Sequence, residues 1–194
     1  MTTYKNIKGI EIKYLSADPP APNAGQVWYN STTKVVKGAI NGVGAWSSGG
    51  NLNTARQSGA GLGIQTASLF VAGETGSILG IVENYNGTSW TEVGDINTAR
   101  KANAASGTTA AGLTFGGASG PPAAEQAQTE VWNGSGWTEV NDLNTGRANL
   151  GGAGTATAAL AMGGILETSG AGESAANESY NGTSWTELND LNTA

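Results

Sequence analysis

The phrase NGTSWTEVGDINTAR (86–100) returns as NGSGWTEVNDLNTGR (133–147) and, at the end of the chain, as NGTSWTELNDLNTA (181–194). A degenerate earlier copy reads GAWSSGGNLNTAR (44–56). Trp46, Trp90, Trp137 and Trp185 therefore stand 44, 47 and 48 residues apart. Self-similarity at such a period is the mark of a chain assembled from equivalent supersecondary units that bury a core by packing on their neighbours.

Outward from this phrase, the parts of one unit are legible. After Arg56, Arg100 and Arg147 come small residues, then an apolar run ending in glycine: ASLFVAG (67–73), AGLTFGG (111–117) and AALAMGG (158–164). A variable segment leads to a short strand that closes on an aromatic, Tyr85, Trp132 or Tyr180. An Asn-Gly turn follows, and the Trp lies five residues beyond the aromatic. From the last glycine to the aromatic the distance varies from 12 to 16 residues, so one connection varies while the rest is constant. That is the pattern of a fixed scaffold with a protruding loop. Short apolar runs at regular spacing with turn signals between them predict all-β structure. Asn-Gly suits tight turns whose central residues take positive φ. Glycine density and the lack of a sustained helical period disfavour helix.

The order apolar-run-Gly-Gly, then Glu-x-Tyr or Glu-Val-Trp, then Asn-Gly-x-x-Trp resembles kelch repeats, from about residue 51 to the C-terminus. The resemblance implies four-stranded blades of a β-propeller, with a glycine pair after the second strand and a Tyr and Trp packed between blades. On this chain the pairs are Gly116-Gly117 and Gly163-Gly164. The first unit has Ala72-Gly73 instead, so a different turn is expected there. The fold class expected is thus all-β, with kelch-like propeller blades at about 51–95, 96–142 and 143–190 and the start of a fourth. Three units fall short of the about four to eight blades that close a propeller. The array is therefore expected to belong to a longer polypeptide or to be completed by other chains.

Residues 1–50 show no full copy of the repeat and form a second expected domain, an N-terminal β anchor. IKGIEIKYL (7–15) alternates like a half-buried strand, SADPPAPNAG (16–25) is a rigid connection, and QVWYNSTTKVVKG (26–38) reads as a hairpin. The series DPP (18–20), GQVWYN (25–30), a second strand and GAW (44–46) resembles short modules of bacteriophage tail-fibre and appendage proteins. That resemblance implies attachment to a virion and a homotrimer as the favoured assembly.

Composition narrows the function. With 31 glycines and only 12% charged residues the chain approaches a disordered composition, but six Trp and five Tyr at regular spacing argue for a packed core. The net charge of −6 weighs against nucleic acid, which needs clustered cations. There is no Cys and no His, which removes thiolate metal sites and the commonest general base and metal ligand. A copper oxidase on a kelch propeller is excluded on ligands alone, since Tyr and carboxylates would have to hold the metal. No signal-peptide h-region and no membrane-spanning apolar run is present, so synthesis in the cytosol without membrane insertion is expected.

Candidate sites have plainer explanations. Arg56, Arg100 and Arg147 could ring an anion, but a recurrent Arg more simply bonds backbone carbonyls and a neighbouring carboxylate. Glu83, Glu130 and Glu178, with Asp95, Asp142 and Asp190, offer paired carboxylates of the glycosidase type. Groups repeated in every unit are scaffold, whereas an active site is asymmetric. Trp46, Trp90, Trp137, Trp185, Tyr85, Trp132 and Tyr180 could stack on sugars and are read as packing aromatics. Asn30, Asn86, Asn133 and Asn181 fit the glycosylation sequon, which their turns explain. No phosphate-binding loop is found. The variable segments 74–80, 118–128 and 165–176 are the expected recognition loops.

The function expected is a non-enzymatic virion structural protein without cofactors, a tail fibre or other appendage contributing to host attachment. Its expected partners are other virion proteins, further copies of itself and a host surface glycan or protein. The alternative is a cellular or secreted kelch-type binder.

Overall fold

A computed structural model of the chain describes residues 12–20, 26–39, 48–120, 124–166 and 172–192. The chain divides into two compact units, Met1–Ser48 and Gly49–Ala194. Among the described residues every regular element is a β-strand, so the protein is all-β. Trp46 and residues 7–11 of the expected first strand lie outside the described residues.

The first unit holds β1 (Lys13–Leu15), β2 (Val27–Asn30) and β3 (Val35–Gly38) in one sheet, with β1 parallel and β3 antiparallel to the central β2. A parallel pair needs a crossover, and here Asp18 ties the crossover down. Its carboxylate accepts from Trp28 Nε1 (2.9 Å) and Asn30 Nδ2 (2.8 Å) and pairs with Lys37 (2.5 Å). These contacts hold the Asp18 carboxyl at a pKa of about 2. Asn30 Oδ1 in turn accepts the N–H groups of Thr32 and Thr33 and so fixes the hairpin turn. The DPP and VWYN motifs are thus two halves of one hydrogen-bonded knot.

The second unit contains three four-stranded antiparallel sheets, each laid down in chain order. The first is β4 (Ala60–Ile64), β5 (Ala67–Glu74), β6 (Ile78–Tyr85) and β7 (Trp90–Val93). In the second, β8 (Ala104–Gly107) and β9 (Gly112–Phe115) precede a small outlying pair, β10 (Ala118–Ser119) and β11 (Ala124–Glu125). β12 (Thr129–Trp132) and β13 (Trp137–Val140) complete that sheet. The third repeats the scheme: β14 (Gly151–Gly154), β15 (Ala159–Met162), the outlying β16 (Ile165–Leu166) and β17 (Gly172–Glu173), then β18 (Asn177–Tyr180) and β19 (Trp185–Glu187). The expected loop over 74–80 is mostly strand. β5 and β6 run long and leave only residues 75–77 between them, because ILGIVENY supplies enough β-forming residues to extend the hairpin.

The hydrophobic core lies between the sheets. Leu62, Leu69, Val71, Val82 and Ile96 of the first face Ala105, Trp132 and Trp137 of the second. On the far side of the second sheet, Leu113, Phe115 and Leu143 meet Ala159, Ala161, Tyr180 and Trp185 of the third. Each layer thus sets aliphatic residues and Phe115 from one sheet against the Tyr or Trp pair of the next. Glycine makes room for it: a Cβ on Gly152 would lie 3.0 Å from the Phe115 ring.

The glycine pair is conformational. Gly116 and Gly117 take φ of 64° and 110°, and Gly163 and Gly164 take 61° and 107°. In the first four-stranded sheet Ala72 and Gly73 take 64° and 116°, so the turn expected to differ is the same, with alanine held in the left-handed region. The Asn-Gly turns differ from expectation. Gly87, Gly134 and Gly182 alone take positive φ within four-residue connections, while the asparagines act through their side chains. Asn133 Oδ1 accepts the N–H groups of Ser135 (2.9 Å) and Gly136 (3.0 Å), and Asn86 and Asn181 do the same. Such side-chain-to-backbone bonds are what Asn contributes to turns.

Candidate functional site

The Asn-Thr-x-Arg phrase just ahead of each sheet folds back onto the Glu of that sheet's third strand. In the second sheet Arg100 Nη1 lies 2.9 Å from Glu130 Oε1. Glu130 Oε2 accepts from the Asn97 N–H (2.7 Å) and Asn97 Nδ2 (2.8 Å), and that amide also donates to the Trp137 carbonyl. In the third, Arg147 Nη2 pairs with Glu178 at 2.7 Å, and Arg147 Nη1 donates to the carbonyls of Gly163 and Ala176. Asn144 repeats the role of Asn97. In the first, Arg56 pairs with Glu83, donates to the carbonyls of Ala72 and Phe70, and stacks on the Phe70 ring. All six charged side chains are at most 2% exposed.

Burial alone would raise the Glu83 carboxyl, but the Asn53 N–H, the Arg56 guanidinium and the Thr54 N–H leave it below the usual carboxylate range. The Arg100 guanidinium is pushed down by burial, which the Glu130 charge opposes. Its Nε and Nη2 have no protein partner among the described residues, whereas the matching groups of Arg56 and Arg147 reach carbonyls. Chemically these are closed structural clamps. Each carboxylate accepts at least three hydrogen bonds, from its Arg and from the Asn-Thr segment, and is sealed from solvent.

The aromatics are paired within sheets. Ring centroids lie 5.0 Å apart for Tyr85 and Trp90, 5.3 Å for Trp132 and Trp137, and 5.1 Å for Tyr180 and Trp185. The last two pairs are buried between sheets, while Tyr85 and Trp90 remain half-exposed on the outer face of the first. Asp142 accepts the Thr129 N–H, and Asp95 and Asp190 are exposed. Among the described residues no group of three or more acidic, His or Cys side chains gathers in metal-binding fashion.

Sequence reading missed the bonds that join one sheet to the next. Trp185 Nε1 donates to Thr129 Oγ1 across the second layer at 3.0 Å. The register-equivalent of Thr129 in the first sheet is Val82, and there Trp137 Nε1 has no partner among the described residues. A backbone belt also runs between sheets: the Ala102 N–H donates to the Ser58 carbonyl (2.7 Å) and the Asn149 N–H to the Ala102 carbonyl (2.8 Å). The Gly73 N–H meets the Arg100 carbonyl (3.1 Å), and the Gly117 N–H meets that of Arg147 (2.8 Å). The only signal for the belt in sequence is its constant offset from each Arg.

No family model and no curated protein matches the chain. The fold itself recurs, with 144 solved chains matching it. One is the solved structure of YjhT, aligned with a TM-score of 0.59 at 13% identity over 84% of this chain. The chain spans half the length of that one.

Proposed function

We propose that the chain is a non-catalytic, kelch-like β-propeller component of a bacteriophage virion, a tail fibre or other appendage that contributes to attachment to the host surface. The first unit would anchor the chain to other virion proteins, and the three sheets would serve as blades presenting loops to a host glycan or protein. One observation supports the non-catalytic part: each recurrent Arg, and the Glu on the third strand of each sheet, is consumed in a buried clamp. What differs between the sheets is the connection between the second and third strands, which in the second and third sheets carries the outlying pairs β10–β11 and β16–β17. Repeated weak contacts from many copies on one particle would gain effective strength by multivalency.

The virion part of the proposal is supported by the DPP and VWYN motifs, which Asp18 joins into one knot. Electron microscopy of phage particles labelled with antibodies against the sheets tests it, with label expected on an appendage. Label absent from particles, with the protein recovered from cells or medium, favours a cellular or secreted binder instead.

A further inference from the structure

Arg100 alone of the clamp arginines keeps buried side-chain nitrogens without a protein partner among the described residues. We infer that Arg100, Asn103 and Gln128 form a binding site for internal water, on the face of the second sheet that meets the first. The site is independent of the function proposed above.

Four of the six buried side-chain polar atoms that lack a protein partner among the described residues belong to these three: Arg100 Nε and Nη2, Asn103 Oδ1 and Gln128 Oε1. Strand register gathers them. Ala105, Thr114 and Glu130 form one row across the second sheet, on the face that packs against the first. Continued by two positions, the register sets Asn103, Gly116 and Gln128 in a row on that same face, and the Gly116 N–H donates to the Gln128 carbonyl at 3.1 Å. The clamp arginines of the other sheets mark where a guanidinium lies relative to this row. Arg147 donates to the carbonyls of Gly163 and Ala176, which correspond to Gly116 and Gln128, and Arg56 donates to that of Ala72, the counterpart of Gly116.

The other two sheets carry apolar pairs at this place. In the first, the Phe70 ring centroid lies 4.7 Å from the Arg56 guanidinium carbon, and a Cβ on Gly59 would lie 2.7 Å from the ring. The ring thus stands between the guanidinium and residue 59. Phe70, Thr114 and Ala161 each pair with the clamp glutamate of their sheet, and Gly59, Asn103 and Leu150 each follow the Arg by three. Only the second sheet therefore sets two polar side chains, Asn103 and Thr114, against its arginine. Arg100, Asn103 and Thr114 are all at most 8% exposed.

Hydrogen-bond direction identifies the ligand. The Thr114 hydroxyl donates to the Ala104 carbonyl (3.0 Å), so its oxygen accepts from Asn103 Nδ2 (2.8 Å), and Asn103 Oδ1 is left as an acceptor. The site offers donors from Arg100 and acceptors from Asn103 and Gln128. Water serves both, and internal waters make about three such bonds to otherwise unpaired buried groups. An anion would satisfy Arg100 alone. It would face two amide oxygens and Glu130, whose charge already compensates the guanidinium at 2.9 Å.

Crystallography of the full chain, at a resolution that places ordered solvent, is the test. A water is expected within about 3 Å of Asn103 Oδ1 and of the Arg100 guanidinium. A guanidinium turned onto the Gly116 and Thr114 carbonyls with no solvent beside it overturns the site. Anomalous density at Arg100 in crystals soaked with bromide also overturns it, since the ligand would then be an anion. Asn103→Leu installs the residue of the third sheet. It is expected to expel the water and bring Arg100 onto the Gly116 carbonyl, as Arg147 meets that of Gly163. A folded variant that keeps the water and an unmoved Arg100 contradicts the assignment of Asn103, and the wild-type map alone decides if the variant does not fold.

Discussion

Arg100 and Glu130 meet at 2.9 Å with both side chains at most 1% exposed, and the same pair recurs as Arg56–Glu83 and Arg147–Glu178. Each clamp fastens the segment leading into a sheet to that sheet's third strand. A buried ion pair gains little over an apolar pair of the same size, but breaking one strands a charge. Glu130→Gln, which leaves the Arg100 guanidinium uncompensated, is expected to lower unfolding free energy by about 3–5 kcal/mol. Urea denaturation read by tryptophan fluorescence measures it.

The layer between the second and third sheets is pinned by the Trp185 N–H on the Thr129 hydroxyl, a bond the first layer lacks because Val82 stands at that register. Thr129→Val is expected to cost about 1–3 kcal/mol, since it orphans a buried donor. Val82→Thr is expected to act in the opposite sense by offering Trp137 Nε1 an acceptor, with a gain of about 1 kcal/mol. Paired thermal denaturation of the two variants decides, and a loss of stability in both would show that the two layers are not equivalent.

Left-handed backbone sets the tolerance of the glycine pair. A Cβ at Gly117 would lie 2.7 Å from the Lys101 carbonyl at φ of 110°, so Gly117→Ala is expected to destabilise by more than about 1 kcal/mol. Ala72→Gly relieves a φ of 64° but removes a buried methyl group, two effects of about 1 kcal/mol each. Near-unchanged stability is expected for that variant, against a clear loss for the former in the same urea assay.

The period, the strands and the aromatic pairs were legible because each is a local pattern repeated at fixed spacing. The Arg–Glu partnership was half legible. A recurrent Arg beside a recurrent carboxylate pointed to a structural bond, but nothing local says that Arg100 pairs with Glu130 on the third strand of the sheet that follows it. Ala72 misled because composition shows a side chain and not a φ. The length of β5 and β6 was hidden by Gly73, which closes the apolar run, and by Gly80 inside the expected loop 74–80, although both lie within strands. Val82, Thr129 and Asn177 look unrelated until strand register sets them at one position.

Asp18 makes the first unit sensitive to acid. Its carboxyl lies at about 2, below an ordinary value of 3.8, because Lys37, Asn30 and Trp28 all favour the ionised form. A lowered carboxylate pKa contributes stability that is complete above the ordinary value and fades as pH falls through the lowered one. The Trp28 indole N–H resonance is therefore expected to stay constant down to the ordinary value and to shift with a midpoint near 2. Asp18→Asn is expected to abolish that titration, and a midpoint at the ordinary value would show that the knot is not formed.

The arrangement of the three sheets in the assembled protein, determined by crystallography, is the most direct test of the propeller on which the proposed function depends. Propeller blades require β4, β8 and β14 to lie nearest a common axis, with the sheets radiating from it and the outlying pairs β10–β11 and β16–β17 on one rim. β8 already packs against both β4 and β14. Sheets stacked in a straight row with no shared axis would contradict the blade reading.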